Sequence, residues 1–536
     1  MKNVLGFAGS KIGFYRFYGI FGALFFLTLS SVYATTYYVS PTGSNSAAGT
    51  MAQPFATLQK GNDVAAAGDT VYIRGGTYSI TTPSTSGAGI TITKSGTSDT
   101  KRIYFWAYPG ETPVFDFSKM TISTSTYTHG FVVTGSWLHF KGLEICKVPM
   151  NTNSNCGMHV DDTHNNIFEL MNFHHNNGAG MFIDDTKGMG GHLILNCDAH
   201  DNYDPTGRQG NGQNADGFGC HYQVSGASTT YRYCRSWWNS DDGWDLISQE
   251  VPVTIENCWA MGCGLANYGT TRPADGNGNG IKAGSSKTGI RHIIRNCVSW
   301  KNKAAGFYAN HSGGGNTWYN NTSYSNGTQF NLLASSWSGD TRTGDGVTLT
   351  GTKVHIMRNN IGFPDDNTYM NGVDTKNNSW DLNITPAAKD FLSVTDPSMT
   401  VTAASVETTA GALGPRQPNG SLPNVSFLKL AAGSQMIDKG VDVGLPFTGA
   451  APDLGAFEYG AATQAIARTQ TAFTKNIVVR IGPELKLEGL ARSAKPGVDN
   501  RQAALFSMTG QRVYPNKSMN TGSRRALGSW ANYIRV

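Results

Sequence analysis

Charge is scarce in this 536-residue chain, in which Asp, Glu, Lys and Arg together make up 15% of residues. That argues against helical bundles, whose outer faces carry charge at every turn. Long apolar runs are missing too. The one of note, Ile20–Leu29, is shorter than the ~20 residues needed to cross a bilayer, so no membrane span is expected. What the chain has instead is glycine, 65 residues of it, with abundant Asn, Ser and Thr. Such a composition suits short strands joined by many turns. A hydrophobic content of 39% still allows a substantial core. The length calls for several domains or one elongated repeat architecture.

The N-terminus reads as an export signal over residues 1–34. Lys2, Lys11 and Arg16 precede the apolar run, and Val32-Tyr33-Ala34 places small residues where a signal peptidase cuts. The formal net charge of +5 is unevenly spread. Residues 461–536 carry twelve Lys and Arg against three acids, a net +9, and the leader carries three bases and no acid, leaving −7 on residues 35–460. An acidic body is poorly suited to nucleic acid. If it handles an acidic polymer, a divalent metal is the obvious mediator.

Between residues 155 and 310 a short motif recurs: Gly, an apolar residue, a variable residue, then a small or apolar one. The copies begin at Gly157, Gly180, Gly217, Gly243, Gly280 and Gly306, spaced by 23, 37, 26, 37 and 26 residues. A second column follows 14 to 17 residues behind each glycine, at Met171, Cys197, Cys234, Cys258, Cys297 and Asn321. Most of its copies are preceded by Asn (Asn196, Asn257, Asn296, Asn320). Periods of this size mark a solenoid, and short alternating stretches bounded by Asn and Gly mark strands. Two or more strands per turn with no helix between them predict an all-β, right-handed parallel β-helix. Cys197, Cys234, Cys258 and Cys297 then stack in its interior. Parallel side-chain vectors favour free buried thiols there over disulfides, and strand-column spacing is not zinc-ligand spacing.

Aligning the repeats also aligns chemistry. The residue two after each glycine reads His159, Phe182, Gly219, Asp245, Lys282, Tyr308, and this position points outward to solvent. Asp245 and Lys282 therefore lie side by side on adjacent turns. The residue before the glycine reads Asp216, Asp242, Asn279, Ala305, and Asp241 adjoins Asp242. Asp-Gly alone is an ordinary turn dipeptide, but Asp is depleted in strand interiors, where Asp245 falls. Four carboxylates cannot stay ionised together beside one lysine, and hard oxygen donors of high charge point to Ca²⁺.

Such a site fits β-elimination on a uronic acid, whose C5 proton lies α to the carboxylate. A cation neutralises that carboxylate, and Lys282 is the candidate base. A neighbouring dication disfavours its ammonium form while the carboxylates favour it, and these two effects oppose each other.

The blocks Asn214-Ala215-Asp216-Gly217-Phe218, Asn239-Ser240-Asp241-Asp242-Gly243-Trp244-Asp245 and Gly278-Asn279-Gly280-Ile281-Lys282 resemble polysaccharide lyase family 9, the pectate lyase L-like enzymes. The segments Tyr37–Gly43, Gly68–Tyr78 and Ala451–Phe457 also look like that family, so the likeness covers most of residues 35–460. The resemblance implies that Asp216, Asp241, Asp242 and Asp245 bind calcium and that Lys282 takes the C5 proton of galacturonate. It implies as partner an acidic polysaccharide, polygalacturonate or pectin, and with the export signal a secreted, monomeric enzyme is expected. Alternatives are a β-helical lyase on another uronate polymer, such as alginate or rhamnogalacturonan, and a non-catalytic glycan-binding or adhesin β-helix.

Other residues read as structural. Arg208, Arg272 and His311 read as solvated loop residues and His174 and His175 as turn-edge residues, while Trp237, Trp238 and Trp300 read as packing residues from their place in the second column, with stacking on sugar rings as the alternative. Residues 461–475 read as a linker. Residues 476–536, with Ala504–Val513 and Tyr533–Val536, resemble the small β-sandwich-like C-terminal secretion or sorting modules of some Gram-negative bacteria. The charge of this tail also suits surface attachment.

Overall fold

The computed structural model describes residues 34–461 and the short strands 505–506 and 512–513; within the first range, residues 86, 124–125, 152, 207–211, 266–275, 286–288, 311, 334, 339–340, 346–347, 365–367 and 401–410 are not described. The export signal, Arg208, Arg272, His311 and nearly all of the linker and C-terminal module therefore lie outside the described residues. What is described of the C-terminal module is an antiparallel pair, Leu505–Phe506 with Arg512–Val513.

Three long parallel sheets form the body, with 12, 10 and 10 strands, here called A, B and C. Each turn contributes one strand to each sheet, as in Met158–Asp161 (C), Ile167–Glu169 (A), Asn172–His174 (B) and then Met181–Asp184 (C). This is a three-sheet parallel β-helix. Its one α-helix among the described residues, Leu58–Val64, is capped by the Thr57 side chain and packs near the first turns.

The recurring glycines have a steric cause. A Cβ at Gly217 would lie 2.0 Å from Ser236 Oγ, and one at Gly280 would lie 2.0 Å from Ser299 Oγ, so the backbone corner admits no side chain there. The Asn residues ahead of the second column have a torsional cause. Asn196, Asn257, Asn296 and Asn320 all sit at φ between 52° and 56°, in the left-handed region that Asn tolerates better than most residues. Each is a one-residue bend that turns the chain from sheet A into sheet B.

Inside the coil, like residues stack. Phe105, Phe140 and Phe168 follow one another with ring centroids 5.2 and 5.4 Å apart. Cys197, Cys234, Cys258 and Cys297 are fully buried, and all eight cysteines are free thiols. An internal ladder of amides runs through Asn176, Asn202 and Asn239, each side-chain oxygen accepting from the residue one turn before. Cys263 takes the next place, and the ladder resumes at Asn302 and Asn326.

Beyond the last strand of sheet A, Val373–Lys376, the chain turns back and covers sheet B. Phe391, Leu413, Phe427 and Leu430 bury against Trp237, Trp238 and Trp300, which are therefore packing residues. His174 stacks on His200 and His200 on Trp237, at 5.0 and 4.2 Å, while His175 lies at the bend with φ 55°. Among the described residues no helix is long and apolar enough to cross a membrane.

Candidate active site

Sheet C carries the outward column expected from the repeat. His159, Phe182, Gly219, Asp245, Lys282 and Tyr308 occupy paired positions on six successive strands. Asp245 and Lys282 are direct register partners. Lys282 Nζ donates to Asp245 Oδ2 at 2.9 Å and lies 2.9 Å from Asp242 Oδ2. Asp216, Asp241 and Asp242 each offer a carboxylate oxygen within 4.8 Å of the others. All five residues come together.

One expectation needs correction. The column leaves the interior of the coil, yet its acidic and basic members do not reach open solvent: Asp245 is 5% and Lys282 7% exposed and neighbouring Asp242 is fully buried, whereas His159, Phe182 and Tyr308 are half-buried. Lys282 and Asp245 meet each other and Asp242, and the turn Gly276–Asn279 lies against Asp241 and Asp242. That turn donates two backbone N–H groups, Asn277 to Asp241 Oδ1 and Asn279 to Asp242 Oδ1, both at 2.7 Å. It is tied down in turn by Lys303 Nζ, which donates to Gly276 O at 2.7 Å.

Burial and mutual repulsion dominate the electrostatics. Burial, then the charges of Asp241, Asp245 and Asp242, hold the Asp216 carboxyl well above the usual range. Burial and neighbouring Asp242 push Asp241 up to about 8. Asp242 is also raised, chiefly by burial, against the pull of Lys282. For Asp245 burial acts the same way, but Lys282 and then His221 outweigh it and the net shift is downward. Burial alone would lower the Lys282 ammonium; Asp242, Asp245, Asp241 and Asp216 together raise it well above an ordinary lysine.

These residues fit a hard divalent cation. The donors are carboxylate oxygens, they converge, and protons stand in for charge that one ammonium cannot balance. Asp242 Oδ2 is buried and accepts no well-directed hydrogen bond. Asp216, Asp241, Asp242 and Asp245 are the residues able to hold such an ion.

Two neighbours escaped the sequence reading as site residues. Asn279 donates to Asp242 Oδ1 through both its backbone and its side chain, at 2.7 and 2.8 Å; its place before Gly280, matching Asp216 and Asp242, was the available signal. His221, the register partner of Asp184, brings Nε2 to 3.9 Å from Asp245 Oδ2. Burial lowers its pKa below the usual histidine value, against the pull of Asp245.

The family description "Pel9A-like, right handed beta helix region" matches residues 37–360. The chain belongs to this family of polysaccharide lyases. This Pel9A-like protein is 35% identical over 425 residues to pectate lyase L of Dickeya chrysanthemi, covering 79% of the chain and 90% of that relative. The solved structure of pectate lyase Pel9A is 33% identical with a TM-score of 0.65, covering 79% of the chain and 96% of the Pel9A chain. A solved rhamnogalacturonan lyase follows at 31% identity and a TM-score of 0.63, covering 74% of this chain and 97% of its own. The parallel β-helix read from the repeat and the polysaccharide-lyase class implied by the resemblance both hold, and an adhesin without catalysis is set aside.

Proposed function

We propose that this Pel9A-like protein is a secreted, calcium-dependent pectate lyase that cleaves polygalacturonate by β-elimination. The observation that carries this is the buried contact of Lys282 Nζ with Asp242 and Asp245, beside the converging oxygens of Asp216, Asp241 and Asp242. A cluster and a lysine in this register serve no evident structural need, since a strand interior is stabilised more simply by apolar residues.

Calcium held by the four aspartates would neutralise the substrate carboxylate, acidify the C5 proton and lessen the charge that keeps Lys282 an ammonium. Lys282, as the free amine, then removes the C5 proton. The C5 electron pair forms the C4–C5 double bond as the bond from C4 to the glycosidic oxygen breaks, and that oxygen takes its proton from water. Asn277 and Asn279 keep Asp241 and Asp242 aimed inward by their N–H groups. The Ile247 N–H, 2.8 Å from Asp245 Oδ1, fixes the fourth carboxylate and leaves Oδ2 to Lys282.

A second reading, a lyase for rhamnogalacturonan or another uronate polymer, is favoured by the coverage and TM-score of the rhamnogalacturonan lyase structure. Both readings use the same base and the same carboxylates. Export through the leader at residues 1–34 and action as a monomer outside a Gram-negative cell complete the proposal.

The test is growth of unsaturated-uronide absorbance from polygalacturonate, with and without a chelator. Wild type is expected to form product only without the chelator, and Lys282→Ala to form none. Activity that survives both treatments sinks the mechanism. Product from rhamnogalacturonan alone decides for the second reading.

A further inference from the structure

Lys282 accounts for a single point of attack on a long polymer, and the outer face of sheet C continues from it in the direction of the earlier turns. The register runs Lys282, Asp245, Gly219, Phe182, His159. Phe182 is half-buried at an outward position, between Met181 and Ile183, which point into the core. An aromatic ring on the outside of a strand gains little from burial in the coil, so its placement calls for another cause.

Gly219 supplies the geometry. A Cβ built there would lie 2.8 Å from Phe182 Cδ2 and 3.6 Å from His221 Nε2. The Phe182 ring therefore occupies the space a side chain at Gly219 would take, one strand nearer to Asp245 than its own Cα. The ring is braced from two sides. His221 meets it edge-on at 4.9 Å between centroids, and His159 lies 5.6 Å away. His159 is itself fixed by Asp184, with Nε2 3.1 Å from Oδ1.

We propose that Phe182, laid over Gly219, is a stacking subsite for a pyranose ring of the polysaccharide, on the side of the acidic cluster away from Tyr308. This assignment rests on the lyase reading of Lys282. Phe182 lies on the third strand from Lys282, about 14 Å along the sheet at a spacing of about 4.8 Å per strand, and its ring leans back by roughly one of those steps. A polysaccharide running across the strands brings a sugar a few residues from the cleaved bond over the ring. Its C–H face is the apolar surface that an aromatic ring accepts. His159 and His221 are positioning residues for that ring.

The experiment compares kcat and KM on oligogalacturonates of graded length and on polygalacturonate. For Phe182→Ala the loss in kcat/KM is expected to grow with chain length, reaching a rise in KM of roughly 3- to 10-fold on the polymer, the size of one aromatic contact. Phe182→Tyr keeps the ring and restores the length dependence. Gly219→Ala displaces the ring and reproduces the loss, whereas Tyr104→Ala, on the outer face of sheet A, changes neither constant. A Phe182→Ala loss equal at every length, or none at any, overturns the subsite. If wild type releases no unsaturated product from any uronide, the lyase reading falls. Binding of the same oligomers to wild type and Phe182→Ala, followed by calorimetry, then decides the subsite on its own: weaker binding of the long oligomers supports it, and equal binding overturns it.

Discussion

Lys282 is held as an ammonium by carboxylates on two sides, so its action as a base depends on a group that can give up its proton. Arginine cannot do so in a protein. Lys282→Arg is therefore expected to keep the ion pairs and lose about 10²- to 10⁴-fold in kcat, with an unchanged circular dichroism spectrum; activity near wild type would show that another group takes the proton. The aspartates predict a linkage. Asp241 is raised to about 8 and Asp216 and Asp242 are raised as well, against about 3.9 for an unfolded aspartate. Across that interval these three carboxyls bind more protons in the folded, metal-free protein than in the unfolded chain, so the stability they contribute falls as pH rises from about 4 towards 8. Asp245, whose shift is downward, acts below this interval, where its stabilisation is lost as pH falls under about 3.9. Bound calcium replaces those protons, so its effect on Tm is expected to be larger at pH 8 than at pH 5, where protons compete for the same oxygens. Equal shifts at both pH values would contradict the cluster as the ion's site. At this scale the sequence was most legible. Counting from the glycines placed Asp245 beside Lys282, because a parallel register without slippage keeps equal offsets in line. Their burial was not legible, since it comes with neighbours brought in from other positions, Asp242 against Lys282 and His221 beside Asp245, and no periodicity encodes that.

An element of this fold is one strand of three or four residues, too short to be stable alone, and what holds it are ladders running from turn to turn. Asn202 is the clearest rung. Its Oδ1 accepts from Asn176 N and Nδ2, and its Nδ2 donates to Phe173 O and Asn239 Oδ1. Asn202→Ala takes the shared acceptor from Asn176 N and Nδ2 on one side and a donor from Phe173 O and Asn239 Oδ1 on the other, and is expected to cost about 1–3 kcal/mol, read as a lower urea midpoint at an unchanged m-value. A cost near zero would mean that water replaces the rung. Two of the three sheets could be picked out from the repeat, and the third could not. In Ile194-Leu195-Asn196-Cys197-Asp198 the sheet A strand passes into sheet B through only two residues, Asn196 at φ 56° and Cys197, so two strands read as one stretch. Asn ahead of each second column was the visible trace of that bend.

At the scale of the molecule, the segment following the last coil is held against sheet B by a buried ionic knot. Asp198 accepts from Arg235 through Nε at 2.8 Å and Nη2 at 2.7 Å, and from Arg416 Nη2 at 2.5 Å. The remaining guanidinium donors reach carbonyls of Ala412 and Gly414 from Arg235, and of Cys197 and Tyr233 from Arg416. One carboxylate thus joins two cations, one on the coil and one on the covering segment, over a distance of 218 residues in sequence. Burial works against the ionised carboxyl, but Arg235 and Arg416 outweigh it and hold Asp198 well below the usual carboxylate range. A depressed folded pKa means that this stabilisation is complete above the unfolded value of about 3.9 and is lost as pH falls through the lower folded value. Asp198→Asn removes the charge and leaves the buried Arg235 guanidinium facing that of the partly exposed Arg416, which is expected to cost about 3–5 kcal/mol. The cost should be measured near neutral pH, where the contribution is complete, and should shrink in strong acid, where wild type loses the same charge. With the knot broken, the segment over Trp237, Trp238 and Trp300 is the part expected to loosen first. A rise in tryptophan fluorescence quenching by iodide ahead of global unfolding checks this, and quenching that changes only with the main transition would place the weak point elsewhere.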